Sequence, residues 1–157
     1  MAKHPPEVEA ILRIPAVDAM LEEVCRITGM GFAAVAHVTS ERWVACQVLD
    51  KIEFGLDPGD ELDIKTTICD EIRGSGQAVF IDEVAADPHW RRHHVPALYG
   101  FKSYISVPIV LEDGSFFGTL CAIDPARSAV KLSEILPTIE AFARDIALAL
   151  GKPAGHA

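Results

Sequence analysis

The stretch Gly100–Pro125, GFKSYISVPIVLEDGSFFGTLCAIDP, constrains the fold more than any other part of the chain. Two apolar runs, Ser103–Leu111 and Phe116–Ile123, flank the acidic turn Glu112-Asp113-Gly114-Ser115. Asp-Gly between strand-like runs is a strong hairpin signal, because glycine accepts the positive φ that tight hairpin turns require. Each run is apolar at nearly every position, whereas a sheet with one wet face alternates apolar and polar residues. Both faces of this hairpin must therefore be covered. Along the first strand, Ile105, Val107 and Ile109, with Ser103, form the set suited to a helix-covered face, and Tyr104, Ser106 and Pro108 point the other way. The same parity carried across the turn places Thr119, Cys121 and Ile123 beside Tyr104 and Ser106. A polar minority among apolar walls is the composition expected of a ligand site.

The rest of the chain supplies the cover. Residues 4–14 begin with prolines and carry a short apolar periodicity, which Pro15 interrupts. Val17–Thr28 places Val17, Met20, Leu21, Val24 and Ile27 at helical spacing, with Gly29 as the stop. Gly31–Thr39 and Trp43–Leu49 read as an antiparallel strand pair, followed by the loop Asp57-Pro58-Gly59-Asp60 and a brief extended segment at Leu62-Asp63-Ile64. Thr66 or Thr67 is expected to cap a short helix ending at Gly74/Gly76, and Ala78–Ile81 is a short strand. Lys131–Leu150 has the apolar stripe of a long helix, bent or started late at Pro137. The expected architecture is α+β: a central, mostly antiparallel sheet of about five to six strands. The N- and C-terminal helices cover one face, and a pocket-forming layer of loops and a short helix covers the other.

With 157 residues the chain is long enough for one domain, taken as residues 17–150 with an N-terminal extension at 1–16 and a tail at 151–157. A formal net charge of −9 without a basic stripe argues against nucleic acid as a partner. No apolar run reaches the ~18 residues of a membrane span, and the start lacks the apolar core of a signal peptide, so a cytoplasmic location is expected. The four cysteines, Cys25, Cys46, Cys69 and Cys121, are widely spaced among apolar neighbours, which fits buried free thiols.

Asp87–Tyr99, DPHWRRHHVPALY, crowds histidines, arginines and aromatics onto a Pro-interrupted segment, where a site would be expected. Trp90 and Tyr99 are candidate walls for a planar ligand, and Arg91 or Arg92 a candidate contact for its carboxylate or phosphate. His94 is a candidate lining group, and Asp82 a candidate to complete the set with Tyr104 and Ser106. His89 and His93 have the spacing of metal ligands on a helix, with Asp87 or Glu83 as a third. Pro88, Pro96 and the adjacent arginines weigh against that metal reading. No Ser-His-Asp order, phosphate loop or paired-carboxylate arrangement stands out, so catalysis has little support.

From about Val17 to Leu150 the chain resembles a GAF domain. SVPIVLEDGSFFGTLCAIDP is similar to the family's S-x-P-[IL] strand, turn and G-x-L strand, and KTTICDEIRGSGQAVFIDEVAADPHW to its short helix, V-x-[IV]-x-D strand and Asp-Pro loop. The resemblance implies a small-molecule-sensing or dimerising module of signalling proteins, working beside histidine kinase, cyclase or transcription-factor domains. It does not specify a ligand. Covalent bilin is disfavoured, because counting back from Gly100 to the family's tethering position reaches Arg91 and Arg92 rather than a cysteine. Phe80-Ile81-Asp82-Glu83 has the residue types of the cyclic-nucleotide signature but the wrong spacing. Free methionine sulfoxide reductase activity is disfavoured, since the expected nucleophile falls near Ala97, although Cys69 sits roughly where one of that enzyme's cysteines does.

The resulting expectation is a regulatory sensor passing ligand state to a signalling partner, such as a histidine kinase, through its terminal helices. Its cofactor is unspecified, and its ligand set is Tyr104, Ser106, Trp90, Tyr99, Asp82, Cys69, Arg91, His94, Thr119 and Cys121. Two alternatives stay open: a ligand-free module that homodimerises through helices 17–28 and 131–150, and a thiol redox sensor or enzyme using Cys69 and Cys121.

Overall fold

A computed structural model describes residues 5–63, 67–93, 95 and 99–151. Helices α1 (Pro6–Leu12) and α2 (Ala16–Thr28) lead into strands β1 (Phe32–Val38), β2 (Trp43–Asp50) and β3 (Glu61–Leu62). Helix α3 (Cys69–Ser75), β4 (Val79–Ile81), two single 3-10 turns, the hairpin β5 (Ser103–Val110) and β6 (Phe116–Asp124), and helix α4 (Leu132–Gly151) follow. The described strands form one antiparallel sheet in the order β3-β2-β1-β6-β5-β4. The α+β expectation holds, with six strands.

The doubly covered hairpin lies inside the sheet, and its two faces enter separate cores. Ile105, Val107 and Ile109 join Leu120 and Ala122 beneath α2 and α4, against Leu21, Ile139 and Ile146. Tyr104, Cys121 and Ile123 join Phe32, Ile68, Ile72 and Phe101 on the opposite face. The cross-strand pairs Tyr104–Ile123, Ser106–Cys121 and Pro108–Thr119 follow the expected parity.

Local chemistry accounts for most element ends. Gly29 and Gly76 close α2 and α3 in the left-handed conformation, where glycine avoids the Cβ penalty. Pro15 stands at the N-cap of α2, so it starts that helix. The side-chain cap expected for α3 is missing: Ile68 occupies the N-cap position, buried Thr67 stands one residue earlier, and Thr66 lies outside the described residues. Pro137 is inside α4, which already runs from Leu132, so the helix absorbs the proline rather than starting late. Asp82 closes the edge of this layer, its Oδ1 accepting the Leu132 N–H at 3.2 Å near the start of α4. Helix α1, within the segment assigned to an extension, packs Val8 and Ile11 fully into the helix-side core. Among the described residues no helix is long and apolar enough to cross a membrane.

Gly118 marks the closest approach in the sheet. A Cβ there would lie 1.8 Å from the Ala36 carbonyl oxygen, a backbone atom that cannot rotate away. Gly118→Ala is expected to destabilise the fold by about 1–3 kcal/mol or more, as overpacking of a rigid site does. Urea unfolding should show a lower midpoint at an unchanged slope.

Candidate functional site

The face of the sheet away from α2 and α4 is built around small residues. Ala34 and Ala36 on β1 and Ala45 on β2 are fully buried there. Aromatic and aliphatic residues from three directions roof this floor: Phe54 and Leu56 from the β2–β3 connection, Ile68 and Cys69 from the start of α3, and Val95, Tyr99 and Phe101 from the approach to β5. They line a partly open cavity of about 50 Å³ with apolar walls. That is room for water-sized molecules and for nothing as large as a nucleotide.

A shallow surface cleft shares Phe54, Leu56, Leu62 and Tyr99 with the cavity and lies outside it. Phe54 and Tyr99 stand with ring centroids 5.8 Å apart, and Phe54 rests on Phe32 at 5.0 Å. The loop carrying Phe54 is tied down by Asp50, whose carboxylate accepts N–H bonds from Ile52, Phe54 and Gly55 at 3.2, 3.0 and 2.8 Å. Burial opposes ionisation there, but those N–H groups outweigh it and hold the Asp50 carboxyl below its usual range.

Polar groups gather at the cavity floor. Cys69 Sγ lies 3.2 Å from Thr119 Oγ1 and 3.7 Å from Tyr104 Oη, and Cys121 lines the same cavity. Trp43 Nε1 is directed to the same sulfur, and Ser106 Oγ toward Tyr104. Neither buried atom completes a well-aligned hydrogen bond among the described residues. The Cys121 thiol is the main cause that draws the Cys69 pKa down. Burial opposes it, and Thr119, Trp43 and Tyr104 add donors. Cys121 is pushed well up, first by the Cys69 thiol and then by burial. The pair thus loses one proton readily and the second with difficulty. Burial, followed by the nearby thiols, raises Tyr104 well above its ordinary value, so its hydroxyl remains a donor.

Four of the residues expected from sequence line the cavity: Tyr104, Tyr99, Cys69 and Cys121. Thr119 and Ser106 are fully buried in the floor beside them. Three others stand elsewhere. Arg91 is exposed, so it offers no charge inside the cavity. Asp82 is exposed and bonds to α4. Trp90 is buried, but it packs between His89 and His93, at centroid distances of 4.6 and 4.7 Å, and does not line the cavity. The Trp90 turn is fixed by Asp87, which accepts the His89 and Trp90 N–H groups. His93 Nε2 meets Glu71 Oε2 at 2.7 Å, joining this segment to α3. His94 lies outside the described residues.

Sequence reasoning passed over Trp43, Phe54, Leu56 and Phe101. The available signal was Phe54-Gly55-Leu56, an apolar pair in a loop bounded by Asp50 and Pro58, where a solvated connection would be polar.

These features sit on a fold whose family is shown by comparison. The GAF domain family matches residues 13–150, and the chain belongs to it. The sequence matches none of the curated proteins at a significant level. A type II free methionine-R-sulfoxide reductase from Thermoplasma acidophilum superposes with a TM-score of 0.66 at 13% identity, covering 92% of this chain and 94% of that one. The GAF domain of a two-component sensor histidine kinase from Bacillus halodurans gives 0.62 at 15%, covering 85% and 90%. A methyl-accepting chemotaxis protein gives 0.63 at 19%, covering 91% and 88%. At these identities the likeness is one of fold.

Ionisation of the thiol pair makes stability depend on pH. Cys69 ionises in the folded state below the ordinary thiol value, so folding gains as pH rises toward that value, ~8.5, and loses the gain as pH falls. Cys121 stays protonated well above it, so beyond that pH the unfolded chain ionises first and folding loses. Urea unfolding of the reduced protein at stepped pH should show stability rising into the thiol range and then declining. Cys69→Ser should flatten the rise.

Proposed function

We propose that this chain is a small-molecule-sensing regulatory domain whose ligand occupies the cavity between the sheet and the Phe54–Cys69–Tyr99 layer. The observation that carries the reading is an apolar cavity lined by Trp43, Tyr104, Cys69 and Cys121, with Trp43 Nε1 buried and lacking a well-aligned partner. An unsatisfied buried polar atom costs about 1–3 kcal/mol, which a ligand offering a hydrogen-bonding group would recover. The walls favour a compact, planar, mainly apolar molecule with one polar group. An anionic ligand is less favoured than the sequence suggested, because Arg91 faces solvent.

Entry requires the roof to lift, since about 50 Å³ is too small for any organic ligand of that kind. Displacement of Cys69 and Tyr99 would press on Tyr104 and Cys121, and the same strands carry Ile105, Val107 and Leu120 beneath α2 and α4. The terminal helices are therefore the output surface, toward a second copy of the chain or a histidine kinase-like signalling partner. Half-exposed Leu148 on α4 is available to such a contact. A second reading, an interaction module with a permanently closed cavity, is favoured by the small volume itself.

Native mass spectrometry of the purified protein should reveal a retained small molecule, and a thermal-shift panel of flavins, aromatic carboxylates and nucleoside phosphates should identify its class. Saturation at a hundredfold excess over Kd stabilises by about 2.7 kcal/mol. Tyr104→Phe is expected to weaken that ligand by roughly 2- to 10-fold through loss of one hydrogen bond. No retained mass, together with an unmoved thermal midpoint across the panel, would favour the closed interaction module.

A further inference from the structure

We propose that Cys69 and Cys121 are an oxidisable thiol pair, closed to a disulfide by a hydroperoxide that enters the cavity past Phe54 and Tyr99. This rests on the same cavity as the ligand reading and assigns it a reaction.

Geometry separates this pair from the other cysteines. Cys69 begins α3 and Cys121 lies on β6, yet both line the cavity, and Cys69 Sγ is 3.2 Å from the hydroxyl of Thr119, two residues before Cys121 on the same strand. Cys25 and Cys46 belong to the opposite core, beneath the helices, and line no cavity near the pair. Their surroundings also keep them inert: burial raises the Cys25 thiol and pushes Cys46 up to about 12, whereas Cys69 is the thiol that ionises readily. A cavity of about 50 Å³ excludes flavins and nucleotides but has room for hydrogen peroxide, little larger than the water it would replace. The surface cleft sharing Phe54 and Tyr99 with the cavity provides the approach.

The chemistry balances without a further co-reactant. Cys69 thiolate attacks one peroxide oxygen; the O–O bond breaks, an S–O bond forms, and hydroxide leaves and is protonated to water. Thr119 and Tyr104, each against Cys69 Sγ, place hydroxyl groups where that departing oxygen needs donors. Cys121 then attacks the Cys69 sulfenic acid. The S–S bond forms, the S–O bond breaks, and the Cys121 proton leaves with the hydroxide as a second water. Two thiols are oxidised and one peroxide is reduced to two waters. The product would tie α3 to β6, fixing the roof to the floor. Oxidation would therefore lock shut the layer that a larger ligand must lift.

The test uses the full chain, reduced and then treated with hydrogen peroxide. Free thiols are alkylated, and the unreduced digest is mapped by mass spectrometry. The expected result is the loss of two of the four thiols, a Cys69 peptide joined to a Cys121 peptide, and reversal by dithiothreitol. Cys69 should react at least ~10-fold faster than Cys25 or Cys46, reflecting its ionisation and access. In Cys121→Ser the reaction should stall after the first step, leaving a Cys69 sulfenic acid trapped by dimedone. The double variant Cys25→Ser/Cys46→Ser should behave as the parent chain does. The proposal is overturned if the thiols survive, if oxidation falls on Cys25 or Cys46 while the pair stays reduced, or if Cys69 oxidises without joining Cys121. Mapping of the unaltered protein decides the matter even where a variant does not fold. Cross-linking in a protein that binds no panel compound supports the thiol pair and sinks the ligand reading; ligand binding without cross-linking does the reverse.

Discussion

Everything else in this structure follows from a hairpin that has no wet face. Strands β5 and β6 are buried on both sides along nearly their whole length, so the chain must build two cores rather than one. Helices α1, α2 and α4 make the first with ordinary aliphatic packing. The second cannot be made the same way, because the β5–β6 surface presented there carries Tyr104, Ser106 and Thr119. Buried hydroxyls need partners, and an apolar helix laid across them would leave three groups unsatisfied. Cys69 at the start of α3 answers part of that need, sharing hydrogens with Thr119 and Tyr104. A thiol that would be a plain small hydrophobe elsewhere thereby becomes the centre of a polar cluster.

The two cores also differ in how they are held. The helix-side core is closed by long helices with fully buried Leu132, Ile139 and Ile146, each fixed over several turns. The opposite layer consists of a seven-residue helix, 3-10 turns and loops, held by discrete polar ties: Asp50 on the Phe54 loop, Asp87 on the Trp90 turn, and His93 on Glu71. Glu53, at the crown of the Phe54 loop, has a φ of 56°, a left-handed conformation that costs a non-glycine residue about 1–2 kcal/mol. Short elements joined by discrete polar ties, one of them carrying a strained residue, open locally at lower free energy than long packed helices do. This layer lies on the side that carries the cavity.

The sheet was legible because its determinants are local. Asp113-Gly114 fixes the turn, and the parity of Ile105, Val107 and Ile109 fixes which face meets the helices. From that parity the floor residues Tyr104, Ser106, Thr119 and Cys121 follow without knowing the roof. The roof was poorly legible because its composition does not reveal which side chains turn inward. Trp90 and Arg91 are adjacent in a segment rich in functional groups, yet one packs into the core edge and the other faces solvent. Asp82 follows a strand on the edge of the sheet, and only the path of α4 decides that its carboxylate caps Leu132 rather than pointing at the cavity. Phe54 and Phe101 were missed for the converse reason: an isolated aromatic in a connection carries no periodic signal.

Cavity size discriminates between the chemistries this floor could support. A tethered or bound chromophore needs several hundred Å³, and the described residues line a cavity of about 50 Å³. Either the roof opens, in which case binding energy must first replace the Phe54–Tyr99 and Cys69 contacts, or the cavity acts on something small enough to enter as it stands. The first route couples occupancy to roof displacement, because no ligand of useful size binds without it. The second couples chemistry to the same displacement with opposite sign, since a bond between α3 and β6 forbids opening. Both proposed routes would act at one place, the contact of Cys69 with Thr119 and Tyr104 where α3 meets the sheet.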